Sequence, residues 1–338
     1  MYIIRGLRNL PDSFRGGVVA VGSFDGVHLG HQALFTTVRA AAREMGGPTL
    51  AMTFEPHPRR LLRPDDAPAR ITCVRGKARW MEHHGVDGLF IVRFTRELSR
   101  MTAEAFVRRY LSSSEGGLAA KAVVVGWDFR FGAGGKGDPE LLERLGREHG
   151  FRVVVEPAAR MGEAGRVISS TWVREAVQTR DFALAERLMG HPFELEGRVI
   201  PGRQRGRSLG FPTANLDLGE RLHPPPGVYA VLGRVGEDPL GDEEGEWLPG
   251  VANLGINPTF GHEGLHLEVH FLAPCETIYR RVLRLRFIAF LREEQRFPDP
   301  GALVRQITLD VQIAREILSL ERALGSASLG SLDVNSLR

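Results

Sequence analysis

Cysteine is nearly absent from this chain. Only Cys73 and Cys275 occur in 338 residues. Neither belongs to a CxxC pair, so no disulfide framework is expected and both read as small, half-buried residues. Lysine is almost as scarce. Lys77, Lys121 and Lys136 are the only three, so nearly all of the positive charge is arginine, whose planar fork suits phosphate wherever it lines a cleft. No apolar run approaches the roughly 20 residues of a membrane span, and no membrane partner is expected. The opening stretch MYIIRGLRNL lacks an h-region and a small-residue cleavage site, so the expected compartment is the cytoplasm. The net charge of +3 is too small to suggest a nucleic-acid partner. There is no internal repeat. What remains is the composition of a globular protein, 43% hydrophobic and 25% charged, with length for two domains.

The first half alternates short Val-rich runs with helical patterns. The runs cover Val18–Val21, Thr49–Phe54, Gly88–Val92, Ala122–Val125 and Arg152–Val155. The helical patterns cover about 31–45, 76–84, 102–111 and 138–149. Such alternation predicts a Rossmann-like α/β domain with a parallel sheet, binding its ligand at the carboxyl ends of the strands. Near residue 190 the pattern changes. DFALAERLMG reads as a short helix ended by Gly190. Short alternating strands and Gly/Pro turns follow, at Glu194–Ile200, Gly227–Leu232, Trp247–Leu254, Leu265–Leu272 and Arg281–Phe290. They predict a small antiparallel β-barrel or sandwich. The acidic stretch 236–247 reads as a solvated hairpin loop, 300–323 as a C-terminal helix, and 324–338 as a disordered tail.

The segment VGSFDGVHLGHQ, 21–32, runs off the first of these strands. His28 and His31 lie three apart at the start of a helix, beside Gly26 and Gly30. Free backbone N–H groups, a positive helix end and two imidazoles on one side make a setting for an anion. A metal site with His57 as third ligand, or two satisfied structural histidines, stay open.

GSFDGVHLGHQ resembles the HxGH motif of the nucleotidyltransferases. TFEPHP (53–58), GWDFRFG (126–132) and ISSTWVR (168–174) narrow the resemblance to the FMN adenylyltransferase module of bacterial bifunctional riboflavin kinase/FAD synthetases. That resemblance implies attack of FMN phosphate on the α-phosphate of ATP, with pyrophosphate leaving and FAD formed. It implies that His28 and His31 hydrogen-bond the ATP phosphates, with Gly22, Phe24 and Gly30 around them. Ser169, Ser170, Thr171 and Arg174 would clamp the other end of the triphosphate, a role compatible with a plain helix N-cap. Asp128 would lie on the nucleotide side; without the resemblance it is an exposed loop acid. Phe54, His57 and Pro58 would pack near the flavin ring; without it EPHP is a turn after a strand. One departure stands out: Gly135 replaces the arginine that usually follows DFRFG, and Lys136 comes one residue later.

In the second half, GRVIPGRQRGRSLGFPTANL (197–216) threads Arg203, Arg205 and Arg207 between Gly202, Gly206 and Gly210. A flexible Gly/Arg loop is a plausible triphosphate cover, but the GKS/T of a Walker A loop is absent. If PTAN is extended, Thr213 and Asn215 point the same way, and their oxygens suit Mg²⁺. GLHLEVHFL (264–272) puts Leu265, Leu267, Val269 and Phe271 on one face and His266, Glu268 and His270 on the other. Alternation alone makes the second face solvent-exposed; a carboxylate on a rigid strand is also a good general base.

GRSLGFPTAN, PPPGVYAV, VANLGINPTF, LEVHF and FLREEQRF resemble the riboflavin kinase domain. By that resemblance Glu268 deprotonates the 5′-hydroxyl of riboflavin. Thr213 and Asn215 hold Mg²⁺, and Gly202, Arg207 and Gly210 cover the ATP phosphates. Arg292 would contact the flavin ligand, with a surface role equally open. Ala273 stands where the family has an acid, and Arg280 where it has a glycine.

The expectation is a bifunctional transferase that uses ATP and Mg²⁺ to make FMN and then FAD. Residues 1–183 would be the adenylyltransferase and 184–323 the kinase. One active module, or a flavin- or RNA-binding regulator on the same scaffold, are the alternatives. A homo-oligomer is left open.

Overall fold

The Val-rich runs of the first half are strands, four of them buried on both faces and the fifth, Arg152–Glu156, half-buried at the sheet edge. In the computed structural model, residues 1–163, 165–201, 209–236, 245–256, 265–273 and 278–324 are described. They divide into two units, Met1–Ala69 with Val74–Ser169, and Arg70–Cys73 with Ser170 onward.

The first unit holds a six-stranded sheet of β1 (Tyr2–Arg5), β2 (Val18–Val21), β3 (Thr49–Glu55), β4 (Gly88–Arg93), β5 (Ala122–Gly126) and β6 (Arg152–Glu156). Their order is β1-β4-β3-β2-β5-β6, and every pairing is parallel. Alternate residues feed two cores. Val19, Val21, Leu50 and Met52 pack with Phe106, Leu142 and Leu145. Val18, Ala20 and Ala51 pack on the other side with Leu34, Phe35, Val38 and Met81. The helices on the second face are α1 (Leu29–Met45) and α3 (Val74–His83). Those on the first are α5 (Ala103–Phe106), which continues as a π-helical turn over Val107–Leu111, and α6 (Pro139–His149). Short helices α2 (Pro58–Leu62) and α4 (Arg96–Ser99) follow β3 and β4, and β7 (Arg160–Met161) pairs with β8 (Arg166–Val167). The α6 boundaries follow local chemistry: Asp138 caps the Leu141 N–H at 2.9 Å, Pro139 opens the helix, and left-handed Gly150 ends it.

β2 is followed by β3 on one side, while β5 lies on its other side. That is a topological switch point, and the β2–α1 loop leaves the sheet there.

The second unit opens with α7 (Ser170–Gln178) and α8 (Phe182–Met189), capped by Asp181 and ended by left-handed Gly190. A closed antiparallel barrel follows, of β9 (Glu194–Ile200), β10 (Ala214–Leu216), β11 (Gly227–Gly236), β12 (Leu248–Ile256), β13 (Leu265–Phe271) and β14 (Val282–Arg292). β9 closes it by pairing with β10. Val228, Ala230 and Val251 pack against Ala314, Ile317 and Leu318 of α9 (Pro300–Leu324). Their alternates, Tyr229, Val231 and Ala252, are buried on the opposite face of the same strands. Arg70 of the 70–73 segment exchanges backbone hydrogen bonds with Glu220 and Leu222 of this unit. The central part of the expected 236–247 loop and the tail from 325 lie outside the described residues.

Candidate active sites

The first site is built on the β2–α1 loop. Phe24, Gly26 and Val27 all have positive φ, at 51°, 88° and 42°. For a bulky residue and a β-branched one this is costly backbone, of the kind that persists where surrounding structure enforces it. The enforcement is visible. The wholly buried Phe24 ring packs on Phe35, with centroids 5.2 Å apart, and presents its face or edge to His31 at 5.4 Å. The Ser23 carbonyl accepts from Lys77 Nζ at 2.8 Å and from Thr53 Oγ1 at 3.2 Å.

This loop delivers His28 to the N-cap of α1 and His31 to its first turn. The two imidazoles stack, with centroids 3.6 Å apart and planes 20° from parallel. Gly30 leaves the stack room: a Cβ there would lie 3.1 Å from His28 Cε1 and 3.2 Å from its Nδ1, a tight contact that the ring would have to yield to. His31 Nδ1 is buried with no hydrogen-bond partner among the described residues. Burial, then the charges of His28 and Lys77, hold the His31 imidazole well below its ordinary 6.5, so it is neutral at pH 7. No group of three or more His, Cys, Asp or Glu among the described residues could hold a metal ion, so the metal reading of this pair finds no third ligand.

The other expected residues of this site fall as follows. Gly22 follows β2, and its N–H bonds the Met52 carbonyl at 3.1 Å. Asp128 is exposed just past β5, its Oδ1 3.3 Å from where a Gly126 Cβ would sit. Phe54 rests against Phe94 and Phe106. His57 caps α2 by accepting the Arg59 N–H at 3.2 Å, and Pro58 occupies the first helical position. Ser169 closes the first unit, while Ser170, Thr171 and Arg174 belong to α7 in the second.

The second site is a cavity of about 290 Å³ lined by Thr213, Asn253, Glu268 and His270 of the barrel, by Arg292, and by Leu303, Ile307 and Asp310 of α9. The face of β13 that alternation alone makes solvent-exposed is therefore the wall of a cavity. Asn215 and Asn253 are the register partners of Glu268 on β10 and β12. Two amides thus flank the carboxylate across the sheet. His270 Nδ1 lies 2.9 Å from the Pro212 carbonyl, which can only accept, so Nδ1 carries the proton. Arg292 is bidentate to the buried Asp310, at 2.9 Å and 2.8 Å. Its guanidinium is anchored to α9 rather than solvated. Gly210 is left-handed and exposed. Gly202 and Arg207, with the rest of the Gly/Arg loop, lie outside the described residues.

Residues 10–172 match a family model for FAD synthetase, and residues 189–318 match one for riboflavin kinase. The chain is 42% identical to the bifunctional riboflavin kinase/FMN adenylyltransferase of Escherichia coli (strain K12), over 95% of this chain and 99% of that one. The chain belongs to that family. The enzyme of the same name from Pseudomonas fluorescens is also 42% identical, over 94% of this chain and 98% of its own. A crystal structure from Streptococcus pneumoniae, described as a macrolide-efflux protein, superposes with a TM-score of 0.77 at 29% identity, covering 93% of this chain and 99% of that one. Among the described residues here, no helix is long and apolar enough to cross a membrane.

Membership makes the chain a bifunctional riboflavin kinase/FMN adenylyltransferase, a kinase and a nucleotidyltransferase of flavin synthesis. One departure from the expected pattern acquires a local explanation. Gly134 and Gly135 are both left-handed, at 66° and 67°, a conformation in which glycine replaces arginine without strain. Arg280, where the family has glycine, also sits at a φ of 67°.

Three residues of these sites were missed by sequence reasoning: Lys77, Asn253 and Asp310. Lys77 had a signal, since it shares a helix face with Val74 and Met81. Asn253 had one in the alternation of β12. Asp310 had none, because its partner lies 18 residues away on another element.

Proposed function

We propose that the barrel cavity phosphorylates riboflavin and that the β2–α1 loop adenylylates the resulting FMN. The observation that carries the kinase reading is Glu268 in the cavity wall, flanked in register by Asn215 and Asn253 and with Thr213 on the same lining. Glu268 takes the proton of the 5′-hydroxyl as that oxygen attacks the γ-phosphate of ATP, and ADP leaves. Thr213 and Asn215 would hold Mg²⁺. Their hydroxyl and amide oxygens are hard, neutral donors beside the base, and they fit an ion that keeps water and phosphate oxygens as its other ligands. When bound, the ion neutralises charge on the transferring phosphate. Gly202, Arg207 and Gly210 cover the ATP phosphates. Arg292, fixed by Asp310, faces the flavin.

At the first site the FMN phosphate attacks the α-phosphate of ATP and pyrophosphate leaves. His28 and the neutral His31 offer N–H groups to the phosphate oxygens, at the positive end of α1. Gly22, Gly30, Asp128 and Ser169 complete the ATP contacts of the first unit, the triphosphate role that the family motif implies for Ser170, Thr171 and Arg174 stays with α7, and Phe24 acts through the His31 ring. Phe54, His57 and Pro58 receive the flavin. The working domain limits are 1–183 and 184–323.

The test is direct. The purified protein is incubated with riboflavin, ATP and Mg²⁺, and the flavins are separated. FMN and then FAD are expected. FMN alone would leave one module active, and unchanged riboflavin would overturn the reading.

A further inference from the structure

Lys77 is the one buried lysine among the described residues, with a side chain 1% exposed. No step of either reaction above uses it. A buried ammonium is expensive unless fully engaged, and this one is engaged by two loops at once. Its Nζ donates to the Ser23 carbonyl at 2.8 Å and pairs with Glu55 Oε1 at 3.3 Å. Ser23 precedes the strained residues Phe24 and Val27 of the loop that delivers the two histidines. Glu55 ends β3 and precedes the Pro56–Pro58 turn assigned above to the flavin.

We infer that Lys77 is a positioning residue for adenylyl transfer, one buried cation that ties the histidine loop to the flavin turn and fixes their spacing. The inference rests on the reading of His28 and His31 as the phosphate-handling pair. The geometry assigns Lys77 no contact with substrate. Its effect passes through Ser23 and Glu55, and its charge adds to the burial that keeps His31 neutral.

Adenylylation of supplied FMN and phosphorylation of riboflavin are measured on the same full-length samples. Lys77→Met should lower kcat for FMN adenylylation by about 30-fold or more, with KM for ATP changed less than about threefold, because alignment rather than binding is lost. Kinase turnover should stay within twofold, which certifies the second unit and the protein concentration, and a far-UV circular dichroism spectrum matching the wild type certifies the first unit. Histidine-selective NMR supplies a second readout; loosened packing would itself raise the His31 titration, so the downward shift in Glu55→Gln is the arm that loss of packing does not mimic. His31 should titrate at higher pH in Lys77→Met than in the wild type. In Glu55→Gln, which keeps the Ser23 bond and removes the counter-charge, it should titrate lower still than in the wild type. That second shift stands even if Lys77→Met fails to fold. An adenylylation rate for Lys77→Met within threefold of wild type, or a His31 resonance indifferent to Glu55→Gln, would overturn the inference. His31→Ala separates the two levels. If it retains adenylylation, the reading of the site itself is wrong. If it loses adenylylation while Lys77→Met does not, only the role of Lys77 falls.

Discussion

The space at Gly30 is set by the imidazole of its neighbour. A methyl group there meets His28 at 3.1 Å, tighter than ordinary carbon contacts, so the His28 ring must give by a few tenths of an ångström. Misplacement by about 1 Å can cost roughly 100-fold in an aligned reaction. The shift at Gly30 is a fraction of that, so Gly30→Ala is expected to lose up to about tenfold of FMN adenylylation while riboflavin phosphorylation on the same sample is unchanged. The second residue-scale consequence concerns pH. His31 has a folded-state pKa below the ordinary 6.5, so between those two values the unfolded chain binds more protons than the folded one. Stability is then full above about 6.5 and is lost as pH falls toward the folded value. His84 contributes with the same sign, lowered by burial and by His83 and Arg39. Urea midpoints at pH 7.5 and 5.5 should differ in wild type. The difference should narrow in His31→Gln without vanishing.

Elements were legible where periodicity was decisive. The five Val-rich strands, α1, α6 and the C-terminal helix lie where the apolar pattern puts them, because a strand buried on both faces or a helix with one apolar stripe leaves a strong signal. β1 was not, since only Ile4 of its four residues is buried at the sheet edge. The expected helix over 102–111 breaks into α5 and a π-helical turn at Val107, which no spacing announces. The second face of β13 was misread by alternation because the covering element, α9, comes about 30 residues later. Its identity as a site came from the family motifs. At this scale the Arg292–Asp310 pair decides the cavity. It joins β14 to α9, both side chains are largely buried, and Gln306 completes the carboxylate. Removing one charge of such a pair costs about 3–5 kcal/mol. Asp310→Asn should lose that much stability in the barrel unit, read by chemical denaturation, and should reduce kinase turnover. Arg280 is the converse case. Its φ of 67° costs a non-glycine residue of order 1 kcal/mol, so Arg280→Gly should raise the denaturation midpoint of the same unit.

At the scale of the whole molecule, the two candidate sites draw their reacting groups from separate folds. His28 and His31 stand on a parallel sheet whose switch point lies within the first unit, and Glu268, Asn215 and Asn253 stand on a barrel closed within the second. Each half-reaction then needs only its own site, and FMN is the sole chemical link between them. Glu268→Ala should abolish FMN formation and leave FAD synthesis from supplied FMN largely intact, and His31→Ala should do the reverse. Neither variant alone can turn riboflavin into FAD. A mixture of the two should, because FMN released by the His31→Ala protein can diffuse to the intact adenylylation site of the Glu268→Ala protein. The FAD yield of the mixture should rise with protein concentration, as a diffusing intermediate requires. If the mixture makes FMN but no FAD, while the Glu268→Ala protein still converts added FMN at the concentrations reached, transfer within one chain is obligatory and the two sites are not independent.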